Sequence, residues 1–237
     1  MDTLYIVIPA YNEQENIEQC VKDWYSVMSR FGGKDSRLVV VNDGSKDDTV
    51  GKLKKMKDDY PLLLPLTKVN GGHGSAVLFG YRYAIEAGAD WIFQTDSDGQ
   101  TNPNEFADFW NKRKENDAVI GIRIKRGDGR GRKLIEDAVC LIIRIIFGVK
   151  VSDANAPFRL MRSSLVKKYI DKLPDDFNVP NIMFTTYFSY FHEKVLFLPI
   201  TFQPRKKGKN SINVRKIAKI GWKAIGDFRK LRRDIDI

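Results

Sequence analysis

Trp91-Ile92-Phe93-Gln94-Thr95-Asp96-Ser97-Asp98-Gly99-Gln100 decides the fold. Five uncharged residues, aromatic and β-branched among them, run straight into two carboxylates and a glycine. Such a run, closed by turn residues, predicts a buried strand that ends in a polar turn. The same pattern stands on both sides. Upstream, Leu4–Ile8 runs into Pro9-Ala10-Tyr11-Asn12-Glu13, and Leu38–Val41 into Asn42-Asp43-Gly44-Ser45. A strand within Leu62–Val69 runs into Asn70-Gly71-Gly72-His73-Gly74, and downstream Ala118–Ile122 runs into Arg123. Helical stretches fill the gaps. Apolar spacing over Ile17, Val21, Trp24, Val27 and Met28 stops at Gly32-Gly33, and Gly74–Ala87 stops at Gly88. Ser45-Lys46-Asp47-Asp48 has the form of a capping box opening a helix to about Met56, and Pro103–Asn116 carries proline in its first turn. Repeated strand–helix units with wholly apolar strands predict an α/β protein, its mostly parallel central sheet covered by helices on both faces. Ligands of such sheets lie beyond the carboxyl ends of the strands, where all five polar clusters fall.

Beyond residue 122 the pattern loosens. Leu134–Phe147 predicts a helix, Asp153–Arg162 a loop entering a strand, Met183–Phe191 a helix and Val195–Phe202 a strand. Ile212–Leu231 predicts a basic amphipathic helix, and Lys125–Lys133, with three glycines and five basic residues, a mobile loop. The expected organisation is one domain over residues 1–211, with halves 1–122 and 123–211, followed by a C-terminal helix within 212–237.

Composition narrows the function. The 237 residues suit one α/β domain, and 43% hydrophobic content supplies a core, which excludes a disordered polycation. Cys20 and Cys140 stand far apart, which excludes a disulfide scaffold and a cysteine-based zinc site and suits a reducing compartment. No basic stretch followed by an apolar run opens the chain, so no secretory signal is expected. The strongest apolar run, Ala138–Gly148, is far shorter than the ~20 residues of a spanning helix and holds Arg144. The net charge of +10 is unevenly placed. Residues 1–120 carry 14 Lys+Arg against 19 Asp+Glu, net −5, whereas residues 121–237 carry 26 against 11, net +15. That asymmetry suggests an anionic partner for the second half: nucleic acid, a phosphorylated substrate or a membrane surface.

The clusters themselves suggest chemistry. Asp96 and Asp98, two residues apart at a strand end, can share a hard divalent cation whose other positions are filled by diphosphate oxygens, with Gln100 as a further oxygen ligand. Asp43 can accept from base or ribose donors while Gly44 permits close backbone approach. Glu13 can accept from ribose hydroxyls. Gly71-Gly72-His73-Gly74 lacks the Lys-Ser/Thr of a phosphate loop, so a tight turn with close helix–sheet packing is the better expectation, with His73 a candidate phosphate contact. Arg205-Lys206-Lys207-Gly208-Lys209-Asn210-Ser211 offers a rigid cationic fork for phosphate.

Taken in order, Ile8–Glu13, Val41–Thr49, Asn70-x3-Gly74, Asp96–Gln100, Gly121-Ile122-Arg123, Asp153-x4-Phe158-Arg159 and Arg205-x2-Gly208-x2-Ser211 resemble family 2 glycosyltransferases of the GT-A fold. The resemblance runs from Tyr5 to about Ile220 and is to the branch of dolichol-phosphate mannose synthase and bacterial polyprenyl-phosphate glycosyltransferases. It implies inverting transfer of a sugar from a nucleotide diphosphate sugar, UDP- or GDP-linked, with Mg²⁺ or Mn²⁺. It places Pro9, Tyr11, Glu13 and Asp43 on the nucleoside, and Asp96, Asp98 and Gln100 on metal and diphosphate. Arg123 and Arg159 fall near the acceptor phosphate or donor diphosphate, and Arg205 and Ser211 on a late loop that closes on the diphosphate. Asn42 departs from the pattern where a second Asp is common, and Asn155-Ala156-Pro157 replaces the usual residues before Phe-Arg.

A hydroxyl acceptor needs a general base, whereas a phosphate acceptor is already anionic and needs cations. No clear base motif follows Asp153, while arginines stand at 123, 159 and 205. The leading expectation is therefore a polyprenyl phosphate acceptor, dolichyl or undecaprenyl, met at the cytoplasmic face of an anionic membrane by a peripheral protein. Ile212–Leu231 and Leu141–Phe147 would supply the membrane contacts. Transfer to a saccharide hydroxyl, with Asp153 as base, is the alternative. A nucleic-acid-binding module is opposed by the acidic first half and the Asp96/Asp98 pair.

Overall fold

The computed structural model describes residues 2–126, 130–205 and 214–233. Seven strands form one sheet: β1 Leu4–Ala10, β2 Arg37–Asn42, β3 Leu63–Thr67, β4 Trp91–Thr95, β5 Ala118–Arg126, β6 Phe158–Arg162 and β7 Val195–Phe202. Their order is β3-β2-β1-β4-β6-β5-β7. β3, β2, β1 and β4 run parallel, as do β5 and β7, while β6 lies antiparallel between β4 and β5. Strand alternation splits the core in two. Tyr5, Val7, Val39 and Val41 pack under α3 (His73–Glu86), α5 (Arg130–Phe147), α6 (Ser163–Ile170), α7 (Pro180–Tyr190) and α8 (Val214–Arg233). Leu4, Ile6, Ile8, Leu38 and Val40 face α1 (Ile17–Phe31), α2 (Thr49–Met56) and α4 (Phe106–Lys112). Phe93 anchors that second layer, its ring centroid 5.2, 4.9 and 4.7 Å from those of Trp24, Phe106 and Phe158. Being buried on both faces is what makes the strands read as continuous apolar runs.

Several elements differ from the sequence reading. α2 opens at Thr49 rather than Ser45, because the Ser45 hydroxyl accepts from the Asn12 backbone N–H and so joins two loops instead of capping a helix. Pro103–Glu105 is a 3₁₀ turn ahead of α4, which ends at Lys112. β5 extends to Arg126 by pairing with β7, with a register shift between Arg123 and Lys125. The stretch expected as a loop is thus divided: Arg126 ends β5, Arg130 opens α5, and residues 127–129 lie outside the described ones. α6 and the reversed direction of β6 were not legible in the periodicity.

Candidate active site

The loops after β1, β2 and β3 are stitched into one wall. Asn12, in the left-handed region at φ 55°, donates its N–H to Ser45 Oγ (2.9 Å) and accepts from the Lys46 N–H (2.8 Å). The Glu13 N–H donates to Thr49 Oγ1 (2.9 Å). Gly44 (φ 66°) comes so close to the next turn that a Cβ there would meet Asn70 N at 2.9 Å. That approach brings the third loop onto Asp43, whose carboxylate accepts from Lys68 Nζ and the N–H groups of Gly71 and Gly72 at 2.8–2.9 Å. The Gly71-Gly72 amides thus cradle a protein carboxylate, in keeping with a tight turn. Asn42 serves the turn too, its Oδ1 accepting from the Ser45 N–H. Pro9 sits in β1 facing Val41 of β2, and Tyr11 stands half-buried beyond the strand end.

Asp96 and Asp98 occupy the middle of the crevice. Burial pushes the Asp96 carboxyl above its ordinary range, with His73 and Arg123 partly opposing the shift. Burial and the neighbouring Asp96 charge push Asp98 up to about 6. Asp96 is steered from below: Gln94 Nε2 donates to its Oδ1 (3.1 Å), and Gln94 Oε1 accepts from Asn181 Nδ2 (3.0 Å). His73 Nε2 lies 3.8 Å from Asp96 Oδ1 at the start of α3. Gln100 Nε2 is committed to Gln203 O (2.7 Å), which leaves Oε1 as its only ligand atom. Among the described residues no three His, Cys, Asp or Glu side chains converge on one point. Two crowded carboxylates and an amide oxygen nevertheless fit a hard divalent cation that draws its remaining ligands from substrate.

The basic residues are placed less as the sequence suggested. Arg123 reaches the crevice rim but is held by carboxylates: Nε and Nη2 donate to Asp153 (2.8 and 2.7 Å), and Nη2 to Glu136 Oε2 (3.0 Å). Asp153 is therefore no free base. Burial opposes its ionisation, but the Arg123 hydrogen bonds and charge outweigh burial and hold its pKa below the usual carboxylate range. Glu136, missed by the sequence reading, also accepts from the Ala154 N–H (2.7 Å), and burial raises its pKa. Arg159 is wholly buried, its guanidinium donating to Ala156 O, Asn181 O and Thr185 Oγ1, and its charge acts on Asp96 and Asp153 from within the protein. Strand alternation was the available signal, since Arg159 shares the face of Met161, between the opposite-facing Phe158 and Leu160. Arg205 grips Glu13 with Nη2 on both carboxylate oxygens (2.7 and 2.8 Å), which joins the last loop to the first. Ser211 lies outside the described residues.

The whole fold matches glucosyl-3-phosphoglycerate synthase from Mycobacterium tuberculosis, solved in complex with Mn²⁺ and UDP-glucose, at TM-score 0.69 and 16% identity, over 97% of this chain and 79% of that one. Fold and strand-end carboxylates together define a GT-A-type glycosyltransferase. The model of Glycosyl transferase family 2 matches residues 5–170, and the chain belongs to that family. It is 25% identical over 214 residues to undecaprenyl-phosphate mannosyltransferase of Micrococcus luteus, covering 87% of this chain and 86% of that protein. It is 28% identical over 221 residues to dolichol-phosphate mannosyltransferase of Pyrococcus furiosus, covering 90% of this chain but only 60% of that protein.

Proposed function

We propose that this glycosyltransferase moves a sugar, with inversion, from a nucleotide diphosphate sugar to a polyprenyl phosphate at an anionic membrane surface. The observation that carries the acceptor choice is the state of the crevice carboxylates beyond Asp96 and Asp98. Asp153 and Glu136 both spend oxygens on Arg123, and Glu136 spends its other oxygen on the Ala154 N–H, so neither is presented as a base for a hydroxyl. A phosphate acceptor needs none. The names of the relatives agree with this choice.

In this reading Pro9, Tyr11, Glu13 and Asp43 form the nucleoside wall. Asp96, Asp98 and Gln100 hold Mg²⁺ or Mn²⁺, which would neutralise charge on the departing diphosphate. Arg205, and Ser211 beyond the described residues, face the diphosphate once Arg205 exchanges Glu13 for phosphate oxygens. Arg123, aimed by Asp153 and Glu136, offers its guanidinium towards the acceptor phosphate. Membrane contact falls to α5, where Leu134, Leu141 and Ile145 are exposed along one face, and to the basic C-terminal region. Among the described residues no helix is long and apolar enough to cross a membrane, so attachment is read as peripheral.

The test uses the full chain with Mn²⁺ or Mg²⁺, labelled UDP- and GDP-hexoses, and undecaprenyl or dolichyl phosphate beside soluble oligosaccharides. Label should pass into the organic-extractable lipid. Transfer only to oligosaccharide would sink the proposal.

A further inference from the structure

Gln94 interrupts an apolar strand, and its amide leads to a crevice carboxylate. It is wholly buried on β4 and shares the sheet face of Ile92, which is turned towards α3 and α7. A buried amide is costly unless both of its ends are hydrogen-bonded. We propose that Gln94 and Asn181 are positioning residues for Asp96: they hold one of its oxygens inward and so present the other to the divalent cation. This rests on the metal reading above.

The hydrogen bonds run in one sense. Asp96, as a cation ligand, is ionised and can only accept, so Gln94 must turn Nε2 towards Asp96 Oδ1 (3.1 Å). Gln94 Oε1 then points away and needs a donor, which Asn181 Nδ2 supplies (3.0 Å). Asn181 Oδ1 in turn faces the Tyr81 hydroxyl, at a longer 3.5 Å. Burial raises the Tyr81 pKa, so that hydroxyl keeps the proton it donates. Tyr81, Asn181 and Gln94 all lie in the core, whereas the Asp96 side chain at the end of the chain is 26% exposed. Oδ1 is the oxygen committed inward; Oδ2 takes no hydrogen bond from the described residues and is left for the cation.

The docking of α7 does not depend on this relay. Gln94 stands opposite Arg159 in the antiparallel β4–β6 ladder. Arg159 donates Nη1 to the main-chain Asn181 O (3.1 Å) and Nη2 to Thr185 Oγ1 (2.8 Å), which pins the first turns of α7 without using the Asn181 side chain. Replacing that side chain therefore removes the relay and keeps the anchor.

The test measures Mn²⁺ affinity, by electron paramagnetic resonance, and Tm on the full chain and on Gln94→Met, Asn181→Leu and the double variant. Each single variant should bind Mn²⁺ about 10-fold or more weaker, the usual cost of losing an outer partner of a metal ligand. Each should also lower Tm, because the other buried amide loses its partner. In the double variant both amides are gone, so Tm should fall less than the two single losses together. Its Mn²⁺ affinity should equal that of Gln94→Met alone, since Asn181 acts only through Gln94. Mn²⁺ affinity that merely follows Tm, or single losses that multiply in the double variant, would overturn the relay. Undiminished affinity in Gln94→Met, with binding still lost in Asp98→Ala, would overturn it and leave the metal reading intact. No Mn²⁺ binding by the unmodified chain, alone or with UDP or GDP, would overturn both.

Discussion

Asp98 carries the most informative titration in the molecule. Its carboxyl sits at about 6 because burial and the adjacent Asp96 charge both favour the proton. A raised acid pKa has a definite sign. Between the ordinary aspartate value and about 6 the folded chain holds a proton that the unfolded chain releases, so this group's contribution to stability falls as pH rises through that window. A divalent cation competes with the same proton. Mn²⁺ affinity should therefore be full above about pH 7 and fall up to tenfold per pH unit below 6, with proton release on binding. Titrating Mn²⁺ by electron paramagnetic resonance between pH 5 and 8 reads this directly; an affinity flat across that range would remove Asp98 from the metal set. The pair was legible in sequence because both carboxylates lie within three residues of one strand end. The partners that tune the site were not. Lys68 reaches Asp43 across 25 residues, and Asp153 reaches Arg123 across 30, so only the sheet register reveals either pair. The partners of Arg159 are likewise invisible in sequence, since Thr185 lies 26 residues away on α7.

At the scale of elements, α5 and α8 look alike in sequence, both basic and amphipathic, and the structure separates them. On α8, Phe228 and Leu231 are 2% and 6% exposed and join the core against α5, the Phe228 ring centroid lying 6.4 Å from that of Phe147. On α5, Ile143 and Phe147 make the inward contacts, while Leu141 and Ile145 are 57% and 74% exposed on the outer face. Residues 134, 141 and 145 recur at helical spacing, so they form one stripe. A sequence shows that a helix has an apolar face but not whether protein or lipid covers it, so periodicity alone does not distinguish the two helices. The distinction is measurable. Phe228→Ala should cost about 3–5 kcal/mol, seen as a lower Tm. The double variant Leu141→Glu, Ile145→Glu should leave stability within about 0.5 kcal/mol per site. It should nevertheless abolish flotation with anionic liposomes. Undiminished flotation of the double variant would assign the membrane contact elsewhere.

For the molecule as a whole, the charge of +10 is a division of labour, with net −5 over residues 1–120 and net +15 over residues 121–237. The sheet order keeps that division in space: β3, β2, β1 and β4 come from the first part, and β6, β5 and β7 lie beyond β4 on the other side. Not all the positive charge faces outward, since Arg123 and Arg205 are engaged internally by Asp153, Glu136 and Glu13. The exposed remainder includes Arg144 on α5 and Arg229, Lys230 and Arg233 on α8. Surface cations of this kind add about 1 kcal/mol each at an anionic leaflet, and salt screens them as the Debye length falls from about 10 Å at 0.1 M to about 3 Å at 1 M. Apolar insertion of the α5 stripe is not screened in that way. The two contributions predict a graded response. Binding to vesicles containing anionic lipid should weaken by at least about tenfold between 0.1 M and 1 M salt, yet stay above that of the Leu141→Glu, Ile145→Glu variant at the higher salt. Nucleotide binding at the acidic, buried end should change far less over the same range. Sedimentation with vesicles and calorimetry with nucleotide, run on the same samples, separate the two. Vesicle binding indifferent to both salt and lipid charge would show that the basic half serves something other than a membrane face.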